Sequence, residues 1–137
     1  SWTDSSVKTG KTYYYKIKTV VKTQDGNQTS GFSNIKSAKA VPSKTTLKAK
    51  ASDTKNIKLT WSKVKGANGY EIYRSNSKNG KYKKIAAISK GSTTSYKNGK
   101  LKKSTTYYYK IRAYRKVDGK KVYGNDSSVV SVKTKAK

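Results

Sequence analysis

The hexapeptide Thr-Tyr-Tyr-Tyr-Lys-Ile occupies residues 12–17 and returns unchanged at 106–111. Sliding the chain by 94 residues aligns, without a gap, Trp2 with Tyr96, Val7 with Leu101, Tyr13 with Tyr107, Ile17 with Ile111, Ser33 with Ser127, Ile35 with Val129 and Ser37 with Ser131. Solenoid repeats run to about 20–45 residues, so a period this long suits whole domains in tandem. Residues 1–41 match only the last part of the second unit, which runs from 42 to 137. Nothing ahead of Ser1 corresponds to 43–94, and the sequence opens on Ser instead of Met. We therefore expect an incomplete unit at 1–41, a complete one at 42–137, and a piece excised from a longer array.

Within the complete unit the apolar residues recur with the period of two that marks a half-buried strand. Residues 45–51 set Leu47 and Ala49 against Lys, and 56–61 set Ile57, Leu59 and Trp61 against polar partners. After a turn expected at Asn68-Gly69, residues 70–75 read as a third strand; Asn79-Gly80 then leads into a fourth at 81–88, a hairpin signal. A short fifth strand is expected near Tyr96, a long sixth over 105–116 and a seventh over 128–134. Asp25-Gly26 and Asp118-Gly119 fall in the connections between the last two strands of each unit. Seven short strands in under a hundred residues close most naturally as a sandwich of two sheets.

The stretch "LKKSTTYYYKIRAY" resembles the signature of fibronectin type III domains, with Leu101, then Tyr107 six residues on, then Tyr109, Ile111 and Ala113 in alternation. Trp61 and Tyr70 match that family's core aromatic positions, and "GYEIYRS..NGKYKKI" is similar to versions found in tandem on secreted and surface proteins of Gram-positive bacteria. The likeness implies an all-β, seven-stranded, immunoglobulin-like (fibronectin type III) β-sandwich, preceded by the C-terminal strands of a second such unit. Tyr107, Tyr109 and Ile111 should then point inward, with Tyr107 as a tyrosine corner bonded to the loop before it. Tyr13, Tyr15 and Ile17 should do the same in the first unit. A wet inner face there is unstable, so missing upstream chain, a neighbouring copy by strand exchange or the second unit itself is expected to cover it.

On the outward face, Tyr108, Lys110, Arg112 and Tyr114 form a stripe that Tyr73 of the adjacent strand joins. Rings among cations either stack on bases or sugars or pair across strands to stabilise a solvated sheet. These five residues are the candidate ligand-binding set. Net charge is +27, from 33 Lys and Arg against six acids, and residues 42–137 carry +22 of it. Such a field attracts polyanions: nucleic acid non-specifically, anionic cell-wall polymer or acidic glycan. Thirty of the cations are Lys, however, whose hydrated point charge suits solubility and edge protection more than bidentate recognition.

Histidine and cysteine are absent, which removes imidazole bases, thiolate nucleophiles and disulfides. Asp4, Asp25, Asp53, Glu71, Asp118 and Asp126 are the only acids, several fall at turns, and Glu71 should face outward by alternation. No catalytic group, metal site or cofactor is expected. No apolar run approaches the roughly 20 residues of a membrane span, so insertion is not expected either. The resemblance implies an extracellular spacer or adhesion module of a secreted or cell-surface protein. A short junction at Pro42 would link it to adjacent domains of the same type, with weak retention on polyanionic wall polymer. The alternative is a dedicated polyanion- or carbohydrate-binding module using the Tyr/Lys face.

Overall fold

A computed structural model describes residues 1–137, built of twelve strands and no helix. Two compact units divide the chain, Ser1–Ala40 and Val41–Lys137.

The first unit contains β1 (Thr12–Tyr15), β2 (Val20–Thr23), β3 (Gly26–Thr29) and β4 (Lys36–Lys39). β1 pairs antiparallel with β4, and β2 pairs antiparallel with β3. Tyr13 and Tyr15 are half-buried, the latter edge-on to Trp2 at 6.1 Å between ring centroids. Ile17, expected to point into a core, is 73% exposed, and Trp2 is 76% exposed. The reason is local: alternation aims these side chains at one face, but no second sheet lies over that face within the unit.

The second unit contains β5 (Leu47–Ala51), β6 (Ile57–Trp61), β7 (Gly69–Ser75), β8 (Lys83–Ile88), β9 (Ser95–Asn98), β10 (Thr106–Val117), β11 (Lys120–Tyr123) and β12 (Val130–Lys133). One sheet has the order β5-β6-β9. The other runs β8-β7-β10, with β11 and β12 following one another along the free edge of β10: β11 pairs with residues 114–117 and β12 with 106–109. Together β11 and β12 amount to one interrupted edge strand, so the unit is the expected seven-stranded sandwich of three and four strands. Leu47, Ile57, Leu59 and Trp61 from the first sheet meet Tyr70, Ile72, Tyr107, Tyr109 and Ile111 from the second in a single core.

Two local expectations change. The turn before β7 falls at Lys65 and Gly66, the latter at φ 74°, and Gly69 instead opens the strand. A Cβ on Gly69 would collide with the Ile88 carbonyl and the Tyr114 hydroxyl, so this glycine allows close approach and does not supply a turn. β11 was not foreseen: Asp118 and Gly119, at φ 50° and 74°, make the two-residue turn whose twist suits a hairpin. Between Ile72 and Tyr73 a bulge shifts the β7–β8 register, so Ala86 opposes Ile72 and Lys84 opposes Tyr73. It lets both Ile85 and Ala86 pack on the core while Lys84 stays on the outer face.

The 94-residue period holds at the level of individual bonds. Tyr13 pairs with Ala38 as Tyr107 pairs with Val132, and Val20 pairs with Thr29 as Tyr114 pairs with Tyr123. The N–H of Lys8 donates to the Tyr13 hydroxyl at 2.9 Å, and that of Lys102 to the Tyr107 hydroxyl at 3.0 Å. Ile17 N–H donates to Ser33 Oγ, and Ile111 N–H to Ser127 Oγ, each at 3.1 Å.

The corner bond is testable. Tyr107→Phe orphans the Lys102 N–H and should lower the unfolding free energy by about 1–2 kcal/mol. Tyr108→Phe, which breaks no hydrogen bond to the protein, should stay within about 0.5 kcal/mol. Urea denaturation of both variants reads the difference, and equal effects would remove the corner as a stabilising contact.

Candidate functional site

The outward face of β10 and its neighbours is organised around one carboxylate. Glu71 points outward on β7 as alternation requires, yet it is only 1% exposed because the layer above it is its own set of partners. The Tyr73 hydroxyl donates to Oε2 at 2.6 Å and Arg112 Nη2 to the same oxygen at 3.0 Å. Lys121 Nζ donates to Oε1 at 3.1 Å, the Tyr123 hydroxyl at 3.0 Å, and Lys84 Nζ stands 3.7 Å away. Arg112 is itself sandwiched, 3.8 Å from the Tyr123 ring centre and 5.2 Å from that of Tyr73.

Burial alone would raise the Glu71 pKa. Hydrogen bonds from Tyr73, Arg112, Lys121 and Tyr123 outweigh it and bring the group down to about 2. Desolvation and the bond to Glu71 push Tyr73 up to about 12. The cluster is thus ionised and closed over the whole physiological range.

The five sequence-selected residues do not form one platform. Tyr73 and Arg112 meet around Glu71. Lys110 pairs with Asp126 at 2.7 Å and lies 5.0 Å from the ring centre of Tyr82 and 6.0 Å from that of Tyr73, without a bond to Glu71. Tyr108 is half-buried. Tyr114, expected on the open face, is 3% exposed: Tyr123 packs edge-on at 6.1 Å, Lys121 lies over its ring at 4.4 Å, and its hydroxyl donates to the Ile88 carbonyl at 3.4 Å. The outward expectation for Tyr114 and Glu71 is right in direction and wrong in exposure. The cause is β11, whose Lys121 and Tyr123 form the cover. One signal in the sequence pointed there: a single Glu on a strand of a chain so rich in cations.

Two of the other acids are engaged locally. Asp4 accepts from the N–H and hydroxyl of Ser6, and Asp53 from the Lys55 N–H and Asn56 Nδ2. No three His, Cys, Asp or Glu side chains gather where they could hold a metal ion.

Two antiparallel sheets enclosing one aromatic core, with a tyrosine corner and an outer layer gathered on Glu71, define an immunoglobulin-like β-sandwich module. A Fn3-like protein from Clostridium thermocellum is similar at 30% identity and a TM-score of 0.55, over 69% of this chain and 92% of that one. The chain belongs to the fibronectin type III family. A structure described as FN3tt is similar at 26% identity and a TM-score of 0.57, over 72% of this chain and 99% of the other. Chicken CNTN1 domains FN1-FN3 match 96% of this chain and 46% of that one at 22% identity and a TM-score of 0.59, a likeness of fold. No family model and no curated protein matches the sequence.

The Glu71 cluster makes stability depend on pH. A carboxylate lowered from 4.5 to about 2 stabilises the fold fully above pH 4.5, and the contribution disappears as pH falls through about 2. Its size is on the order of 3 kcal/mol. Glu71→Gln should therefore destabilise the protein at pH 7 by up to about 3 kcal/mol, since it removes the one anion shared by Arg112, Lys121 and Lys84. The difference from wild type should shrink towards pH 2, as followed by denaturation at a series of pH values. A gap that stays constant with pH would contradict the ionised cluster.

Proposed function

We propose that this chain is part of a non-catalytic extracellular spacer or adhesion module, in which fibronectin type III units stand in tandem on a secreted or surface protein of a Gram-positive bacterium. The observation that carries this reading is the shared register: the first unit repeats the β10, β11 and β12 pairings of the second residue for residue at an offset of 94. Residues 1–41 are then the closing strands of an incomplete unit and 42–137 a complete domain. In the functional protein a three-stranded sheet of the β5-β6-β9 kind covers the inner face of the first unit, supplied by the same array or by a neighbouring copy. Trp2, Tyr15 and Ile17 sit where such a sheet would seal them.

Retention on polyanionic wall polymer or acidic glycan is the second half of the proposal, with nucleic acid bound only non-specifically. It rests on charge. Ion pairs involve Lys84, Arg112 and Lys121 with Glu71, and Lys110 with Asp126, which leaves most of the 33 cations unpaired. A dedicated site on the Tyr/Lys face is less well supported, because Tyr73 and Arg112 are committed to Glu71 and Tyr114 is covered.

Two measurements test the halves separately. Fractionated cultures of the source organism should carry the protein in the wall or medium, and a cytosolic location would sink the extracellular reading. On an anionic column the purified chain should be held at about 50 mM salt and released by about 200 mM. Passage at low salt would remove the retention half and leave the spacer.

A further inference from the structure

We propose that the outer face of the β5-β6-β9 sheet is a binding surface for a linear phosphate polymer without bases, seated on a cross-strand row of lysines, Lys50, Lys58 and Lys97. This deepens the retention half of the proposed function and rests on it, but it moves the surface to the opposite side of the sandwich from the Tyr/Lys stripe.

Register makes the row. Lys50 lies directly opposite Lys58, and Lys58 directly opposite Lys97, so three lysines stand side by side across three strands. Neighbouring strands are about 4.8 Å apart. All three are exposed, because Ala49, Ile57, Leu59 and Tyr96 take the inward positions on the same strands. Lys48 stands one pleat further along β5, about 7 Å from Lys50. Opposite it lie Thr60 and then Ser95, which adds two hydroxyls beside the cationic row.

No carboxylate is bonded to the row, and the one acid whose field reaches it is Asp53, beside Lys97. None of its lysines is in an ion pair. Asp53 is held below its ordinary pKa by the Lys55 N–H, by Asn56 and, least, by the field of Lys97; its oxygens bond the Lys55 N–H and Asn56 Nδ2, so its single charge offsets Lys97 in part and leaves the three-lysine row positive. Like charges placed directly opposite one another on a sheet destabilise it. Folding assembles this repulsion, and an anionic chain lying across the strands offsets it, so binding and stability are linked.

The chemistry of the occupant follows from what the face lacks. Single-stranded nucleic acid is held by aromatic rings that stack on bases, together with cations. Trp61 and Tyr96, the aromatic residues of β5, β6 and β9, turn their rings to the core, and only the partly exposed edge of Tyr96 borders the cleft beside Lys58 and Lys97, which is not a stacking platform. Lysine also supplies point charge without the planar fork that selects carboxylates. What remains is recognition of closely spaced phosphates by charge and hydroxyl donors.

The test uses the 137-residue chain with long-chain inorganic polyphosphate as the probe, followed by fluorescence anisotropy at low salt. Lys50→Gln/Lys58→Gln/Lys97→Gln should weaken binding by about tenfold or more, while Lys63→Gln/Lys65→Gln/Lys90→Gln, which removes the same charge from other exposed positions, should weaken it by no more than about threefold. Without ligand the row variant should melt at or above the wild-type temperature, and polyphosphate should raise its melting point less than that of wild type. An oligothymidylate of matched charge should bind more weakly than polyphosphate. Equal losses in the two variants would overturn the row while leaving general retention intact. Tighter oligothymidylate binding would overturn the base-free class, and no wild-type binding to either polymer would overturn the row and the retention reading together.

Discussion

The second unit depends on β10 being sealed on one face. Tyr107, Tyr109, Ile111 and Ala113 alternate into the core at 0–5% exposure, and each sheet has its large side chains sized to meet them. Burial of this kind stabilises at about 25 cal/mol per Å² of apolar area, so four consecutive inward positions outweigh any single polar contact in the unit. The two tyrosines also carry hydroxyls that burial would orphan. Tyr107 accepts from the Lys102 N–H, and Tyr109 donates to Asn98 Oδ1 at 2.8 Å, which also accepts from Arg74. The bonds tie β10 to the end of β9 and to the segment that follows it, so the crossing between sheets is fixed by the same residues that fill the core.

A chain of net charge +27 meets a second constraint on its outer faces. Side chains that snorkel over a sheet bring their ammonium groups together, and repulsion rises as packing tightens. The two faces resolve it differently. On the four-strand side, one buried carboxylate gathers Arg112, Lys121 and Lys84, and aromatic rings separate the cations further. On the three-strand side no acid is interposed, and lysines face each other across β5, β6 and β9. The first face is therefore a lid whose cations are gathered on one shared anion, and the second an open positive surface.

How far these arrangements were legible in the sequence depends on the range of the interaction involved. Strand positions and facing followed from local alternation: Leu47, Ile57, Leu59, Trp61, Tyr70 and Tyr109 are buried where the period of two puts them. The tyrosine corner followed from the likeness of the Leu101-to-Tyr107 stretch to the fibronectin type III signature. Exposure on the outer face did not follow, because it is decided by which strand lies alongside. Tyr114 and Glu71 are covered by Lys121 and Tyr123 of a hairpin whose Asp118-Gly119 turn was visible but whose four-residue return strand, Lys120–Tyr123, is too short to show an apolar period. The lysine row was hidden for a related reason. Lys50, Lys58 and Lys97 are 8 and 39 residues apart, and only the registers of two separate pairings bring them into line.

The first unit separates these two kinds of information within one molecule. It reproduces the pairings, the corner bond and the Ser33 bridge of the second unit, so register belongs to the segment itself and its turns. It does not reproduce the burial: Ile111 is sealed at 0% exposure, whereas Ile17, at the equivalent position, is 73% exposed. The same hexapeptide therefore specifies a ribbon in both places and a core in only one. What turns an aromatic ribbon into the wall of a sandwich is the opposing sheet, which contributes Leu47, Ile57, Leu59 and Trp61 from far away in the chain. A strand's face is written locally, and its burial is conferred by whatever sheet it meets.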